Sequence, residues 1–236
     1  MSGSRDQILA RIRAANPVEG RRRDGGPAGT EQADRDADAA YAALPRRYLS
    51  AHHDPAGHDI ATLFAERAAD YRAIVERVPG PAALAATVAR VLAARVAAAP
   101  GPVLVPDGLP TGWLAGLAGQ ITLARDEPPL PAAELDRAAG VLTGCAVAVA
   151  ETGTIILDHG PGASGQGRRA LTLVPDFHLV VVREDQIAAD LADAFARLDP
   201  ARPHTLISGP SATSDIELIR VEGVHGPRNL HVLVTA

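Results

Sequence analysis

The sequence predicts an α/β protein: an open, layered sheet with helices ahead of it. Short apolar runs of strand length, at Val103 to Val105, Gln120 to Ala124, Ala146 to Ala150, Thr154 to Leu157, His178 to Val182, Leu206 to Ser208 and Leu230 to Val234, alternate with helical segments. That alternation is the pattern of a sheet covered by helices. The chain has 236 residues, of which 47% are hydrophobic and 22% charged, enough to bury the core of a full domain. The runs Ala146 to Ala150 and Thr154 to Leu157 are separated by a short turn, which predicts one hairpin within the layers.

Along the chain, Arg5 to Ala14 reads as a short amphipathic helix, with Ile8 and Ile12 one turn apart and Asn16-Pro17 ending it. Val18 to Asp38 is rich in Gly, Arg and Asp and lacks apolar periodicity, the composition of a flexible linker. Residues 1–58 are therefore expected to form an N-terminal helix and linker, and residues 59–236 the α/β domain. Asp59 to Val78 places Ile60, Leu63, Phe64, Tyr71, Ile74 and Val75 on one helical stripe. Pro79-Gly80-Pro81 closes that helix before a second, Ala82 to Ala98, so two helices are expected before the sheet. Ala132 to Ala138 predicts a short helix between strands, and Gln186 to Leu198 a longer one.

Composition excludes several chemistries. Cys145 is the single cysteine, so the chain cannot assemble an intramolecular disulfide or a set of thiolates for zinc or an iron–sulfur cluster; any such cluster belongs to a partner. No lysine occurs, and all 23 basic residues are arginine, which removes a Schiff-base lysine and a phosphate-loop lysine. Arginine remains as the fixed cation, suited by its planar fork to carboxylates and phosphates. A net charge of -5 argues against a nucleic-acid face, and the basic run Arg21 to Arg23 sits in a Gly/Pro-rich segment expected to be a solvated loop. No uninterrupted apolar run of about 18 residues and no secretory leader is evident, so the expected location is cytoplasmic.

Glu151 to Val182 concentrates the candidate chemistry. In Glu151-Thr152-Gly153-Thr154 a carboxylate and two hydroxyls emerge at a strand end. Gly153 either lets backbone N–H groups approach a small carboxylate or makes a tight hairpin turn. Glu151 is a candidate general base. Gly160 to Gly165 satisfies G-x-G-x-x-G, but Pro161 and the lack of an amphipathic helix after it argue against a nicotinamide site. Gly162 to Arg169 misses the phosphate loop at its last two residues. What is left is a loop through Gly165 and Gly167 whose Arg168 and Arg169 can cover and pair with an anion, or lie in a solvent-exposed flap.

Downstream, Ser214 to Glu217 reads as a capping box opening a short helix after the Gly209-Pro210 turn. Asp215 and Glu217 already complement the helix dipole, which leaves Ser208, Gly209, Ser211 and Thr213 as the ligand candidates there. His225, in a turn entering the last strand, is a candidate acid or base, whereas His178 reads as a hydrogen-bonded structural residue. His52, His53, Asp54 and His58 have metal-ligand side chains, but their irregular Pro/Gly surroundings favour a solvated loop. Trp113 and Cys145 are expected in or near the core.

Four ordered motifs carry a resemblance: Ala148-Val-Ala-Glu-Thr-Gly-Thr-Ile, Gly165-Gln-Gly-Arg-Arg-Ala-Leu-Thr-Leu-Val-Pro-Asp, Ser208-Gly-Pro-Ser-Ala-Thr-Ser-Asp-Ile-Glu and Gly223-Val-His-Gly-Pro. From about residue 100 onward the chain resembles the lactate utilization protein C family (LutC/YkgG, the LUD domain). The resemblance implies a fold of the NagB/RpiA/CoA-transferase-like group, similar also to 5-formyltetrahydrofolate cyclo-ligase. It implies a part in bacterial oxidation of L-lactate to pyruvate beside iron–sulfur partner proteins, as an accessory subunit with no cofactor of its own, and it favours Arg168 and Arg169 as ligand contacts. The alternative is a free-standing CoA-transferase-like or cyclo-ligase-like enzyme acting on a small anion.

Overall fold

A computed structural model describes residues 59–236 except positions 118, 161–164, 214–220 and 224, together with positions 8, 11, 36 and 38–45. The chain divides into two compact units, Met1–Tyr48 and Leu49–Ala236. In the first, positions 8, 11, 36 and 38–42 are helical. Asp36 and Asp38, expected at the end of the linker, thus lie in helix, where Ala39, Ala40 and Ala42 supply strong helix formers. The remainder of the Arg5 to Ala14 helix and of the linker, and the histidines at 52, 53 and 58, fall outside the described residues.

The second unit is built on a six-stranded sheet. Its order is β1 (Ile74–Val78), β12 (Asn229–Thr235), β7 (Phe177–Arg183), β4 (Gly140–Thr143), β2 (Val103–Leu104) and β3 (Leu123–Ala124), and every neighbouring pair is parallel. A second sheet runs β8 (Ile187–Ala188), β5 (Val147–Val149), β6 (Thr154–Asp158) and β9 (His204–Ile207), with β5 and β6 as the expected antiparallel hairpin. The ribbon β10 (Ala212–Thr213) and β11 (Val221–Glu222) is antiparallel.

β7 shows why the sheet sits at the centre. Its sequence Phe-His-Leu-Val-Val-Val is buried on both faces, as parallel strands under two layers are. Phe177, Leu179 and Val181 pack with Leu84, Val88 and Leu92 of helix α2 (Pro81–Ala98). Val180 and Val182 pack the other way, with Ala148, Ile155 and Leu157 of the second sheet and Phe64 of helix α1 (Ile60–Asp70). By the period of two, His178 shares this second face. α2 is long and apolar enough to cross a membrane by length and composition; here Leu84, Val88, Val91 and Leu92 are buried in the fold.

Three expectations are corrected. The helix expected over Asp59 to Val78 ends at Asp70, Arg72 takes a left-handed φ of 70°, and Ile74–Val78 continues as a strand. β-Branched Ile74, Val75 and Val78 suit a strand, and five register pairs to β12 satisfy their backbone, so a strand separates the two helices. The helix expected over Gln186 to Leu198 is a 3-10 turn (Glu184–Gln186), then β8, then a short helix α5 (Leu191–Ala196). Asp190 caps α5 by accepting from the Asp193 N–H at 2.9 Å, which restarts the helix late. β4 is an added strand; the short helix α3 (Ala132–Asp136) lies where one was expected, and α4 (Arg169–Leu173) opens directly after the glycine loop where no helix was expected. Cys145 is buried and Trp113 is partly buried against the core, as expected.

Candidate functional site

At the starts of β7 and β12 lie two adjoining chambers that share Leu173, His225 and Gly226. One, of about 600 Å³, is charged: Asp136, Arg169, Asp176 and Arg228 line it. The other, of about 220 Å³, is lined by His178, Thr172, Thr205, Ser208 and Ser211 among apolar groups. Local hydrogen bonds bring these segments together. The Ser211 N–H donates to the Pro227 carbonyl at 2.8 Å, the Gly223 N–H to the Ser211 carbonyl at 3.1 Å, and the His225 N–H to Ser211 Oγ at 3.0 Å.

The charges of the first chamber are unevenly committed. Asp176 accepts from Arg228 Nε, from Asn229 Nδ2 at 3.1 Å and from Arg95 Nη2 at 3.5 Å, so its charge is answered by two arginines. Arg169 is exposed, and its guanidinium makes no hydrogen bond or ion pair among the described residues. It is the cation best placed to meet a ligand anion.

The second chamber is organised around histidines. His178 is 1% exposed, and its Nε2 lies 2.7 Å from Thr143 Oγ1 on β4. Burial, with neighbouring His159 adding to it, pushes His178 down to about 3, so it is an uncharged imidazole at neutral pH. His159 Nδ1 lies 2.7 Å from the Gly167 carbonyl and its Nε2 2.9 Å from Thr205 Oγ1. A carbonyl only accepts, so Nδ1 carries the proton in the neutral ring and Thr205 donates to Nε2.

The sequence candidates separate by position. Arg169, Ser208, Gly209, Ser211 and His225 line the chambers. Thr154 reaches them through hydroxyls: Thr152 Oγ1 is 2.7 Å from Thr154 Oγ1, which is 2.8 Å from Ser208 Oγ. Glu151 is exposed and lines neither chamber. Gly153 has φ 62°, and a β-carbon there would meet the Ala68 backbone nitrogen at 2.4 Å, so glycine is needed for the hairpin to press on α1. Arg168 donates to Asp126 and to the Leu130 carbonyl, and with Gly167 lines a separate cavity of about 240 Å³. The Gly165 N–H donates to the Asp107 carbonyl at 2.8 Å, tying that loop to the segment after β2. Thr213 sits in β10 opposite Val221. The capping box at Ser214 to Glu217 and positions 161–164 of the glycine pattern lie outside the described residues.

His159, Thr143, Thr172, Thr205, Asp176 and Arg228 were missed from sequence. His159 follows a buried strand at a glycine loop, a signal that could have singled it out; Thr143 closes an apolar run too short to read as a strand.

The profile of the LUD domain matches residues 132–235. Lactate utilization protein C of Deinococcus radiodurans is 60% identical over 136 residues, which cover 56% of this chain and 61% of that protein. The uncharacterized protein YkgG of Escherichia coli is 36% identical over 94 residues, 33% of this chain and 41% of YkgG. The matched segment thus spans less than two thirds of these relatives. A crystal structure of a DUF162 family protein from Deinococcus radiodurans aligns with a TM-score of 0.61 at 45% identity, over 75% of this chain and 97% of that one. The sequence motifs, the parallel-rich α/β fold and these similarities together place the chain in the lactate utilization protein C (LUD domain) family.

Proposed function

We propose that this chain serves bacterial L-lactate utilization by binding a small carboxylate in the paired chambers. The observation that carries the reading is Arg169, whose guanidinium makes no ion pair among the described residues and stands at a cleft lined also by Asp136, Asp176 held by Arg228, several hydroxyls, His225 and the uncharged His178. Arg169 takes the carboxylate through paired N–H donors, and Asp176 remains held by Arg228 and Arg95. His225, on the wall common to both chambers, is placed to hold or release a proton near the ligand. Glu151, proposed from sequence as a base, acts at most on ligands outside these chambers.

Oxidation of lactate to pyruvate removes two electrons, and the residues here fit no cluster of their own: Cys145 is the single cysteine, is buried, and has its thiol pushed up to about 12 by burial. On this reading the electrons pass to iron–sulfur partner proteins, the chain acts as an accessory, cytoplasmic subunit, and its sheet is a variant of the NagB/RpiA/CoA-transferase-like group. The test is paired. Tagged protein from lactate-grown cells is expected to copurify with cluster-bearing partners, and the purified chain to bind L-lactate with affinity lost on Arg169→Ala. Turnover of a CoA thioester or folate by the purified chain alone would favour a free-standing enzyme instead.

A further inference from the structure

His178 leaves one polar atom unexplained. Its Nε2 is taken by Thr143, while its Nδ1 is buried and has no hydrogen-bond partner among the described residues. A buried polar atom without a partner is costly and rare, so a native one points to something it meets. The ring lines the smaller chamber, beside Thr172, Thr205 and Ser211.

The hydrogen inventory decides what that something is. If the Thr143 hydroxyl donates to Nε2, only Nδ1–H is left unmatched. The opposite tautomer would strand both the hydroxyl hydrogen and the Nδ1 lone pair, since Thr143 Oγ1 has no other partner among the described residues. His178 is therefore a buried donor. The neighbouring hydroxyls offer the complement: Thr205 spends its hydrogen on His159 Nε2, and Thr172 Oγ1 donates to the Arg169 carbonyl at 3.2 Å. Both keep lone pairs for an incoming hydrogen. The chamber thus presents the His178 N–H donor beside the lone pairs of Thr172 and Thr205, with the Ser208 and Ser211 hydroxyls also on its wall. A ligand hydroxyl uses both the donor and a threonine lone pair, whereas a keto oxygen uses only the donor.

We infer that the smaller chamber is a subsite for the 2-hydroxyl of a short 2-hydroxy acid, with His178 Nδ1–H donating to that oxygen and Thr172 or Thr205 accepting its hydrogen. This rests on the carboxylate site proposed above, with Arg169 taking the carboxylate next to that hydroxyl where the two chambers meet at Leu173, His225 and Gly226. His178 is a binding donor to the hydroxyl, and its neutral ring supplies direction rather than charge.

The test is calorimetric titration of the full chain with L-lactate, pyruvate and propionate, which share a three-carbon acid and differ at the 2-position. L-Lactate is expected to bind roughly tenfold tighter than propionate, with pyruvate between them. His178→Gln keeps an amide near the Nε2 position and loses the Nδ1 donor; it should abolish the advantage of lactate over propionate. His178→Asn keeps a donor near Nδ1 and should retain part of it, an order that a purely structural histidine bonded to Thr143 would reverse. Nitrogen-15 spectra of histidine-labelled wild-type protein give a reading that does not depend on either variant folding: an Nδ1-protonated His178 that shifts on adding lactate. Equal binding of lactate and propionate, an Nε2-protonated ring, or an undiminished lactate advantage in His178→Gln overturns the inference. Failure of all three acids to bind overturns the carboxylate site itself.

Discussion

Arg168 grips Asp126 with two donors, Nε to Oδ2 at 2.6 Å and Nη2 to Oδ1 at 3.0 Å, while Nη2 also donates to the Leu130 carbonyl at 2.7 Å. The adjacent arginine makes no such contact. Two residues that look alike in sequence are therefore predicted to act differently. Arg168→Ala leaves the little-exposed Asp126 carboxylate and a carbonyl unanswered and is expected to cost about 1–2 kcal/mol in denaturant unfolding. Arg169→Ala should leave stability within about 0.5 kcal/mol and remove carboxylate binding.

Gly153 makes a second separation possible. Gly153→Ala forces a left-handed φ on alanine and drives a β-carbon into the backbone of α1 at Arg67 and Ala68. A loss of about 2–3 kcal/mol is expected by chemical denaturation. Carboxylate affinity of the folded fraction should stay unchanged, since Gly153 lines neither chamber.

Acid should destabilise the protein through His178. Its folded value lies near 3 against 6.5 in the free side chain, so between those limits the unfolded chain binds more protons and stability rises with pH. His231, also lowered by burial, acts in the same direction. Stability is thus fully present above about pH 6.5 and falls as pH drops toward 3, with a slope of up to about 1.4 kcal/mol per pH unit from His178 alone. Urea unfolding at pH 7 and pH 5 measures it, and His178→Gln should flatten the difference.

The parallel-rich architecture was legible because β7 and β12 carry long apolar runs that only two-sided burial explains. Ile74 to Val78 was not, because a period of 3.6 continues by coincidence from Phe64 through Tyr71 to Val75, and the turn at Arg72 has no glycine or proline to mark it. Short strands such as β4 and β8 carry too few residues for a period to register. At the site, sequence reading reached Arg169, Ser211 and His225 through motifs. It could not separate Arg169 from Arg168, because the partner Asp126 is 42 residues away and only the fold brings it close. Nor could it see that His178 is bonded through one nitrogen and, among the described residues, unpartnered at the other.

The most direct test of the account is a crystal structure of the full chain soaked with L-lactate. The account predicts the ligand in the paired chambers, its carboxylate on Arg169 and its hydroxyl within hydrogen-bond distance of His178 Nδ1. Lactate bound instead at the Glu151–Thr154 hairpin or on the Arg168 side of the loop, with these chambers empty at saturating ligand, would contradict it.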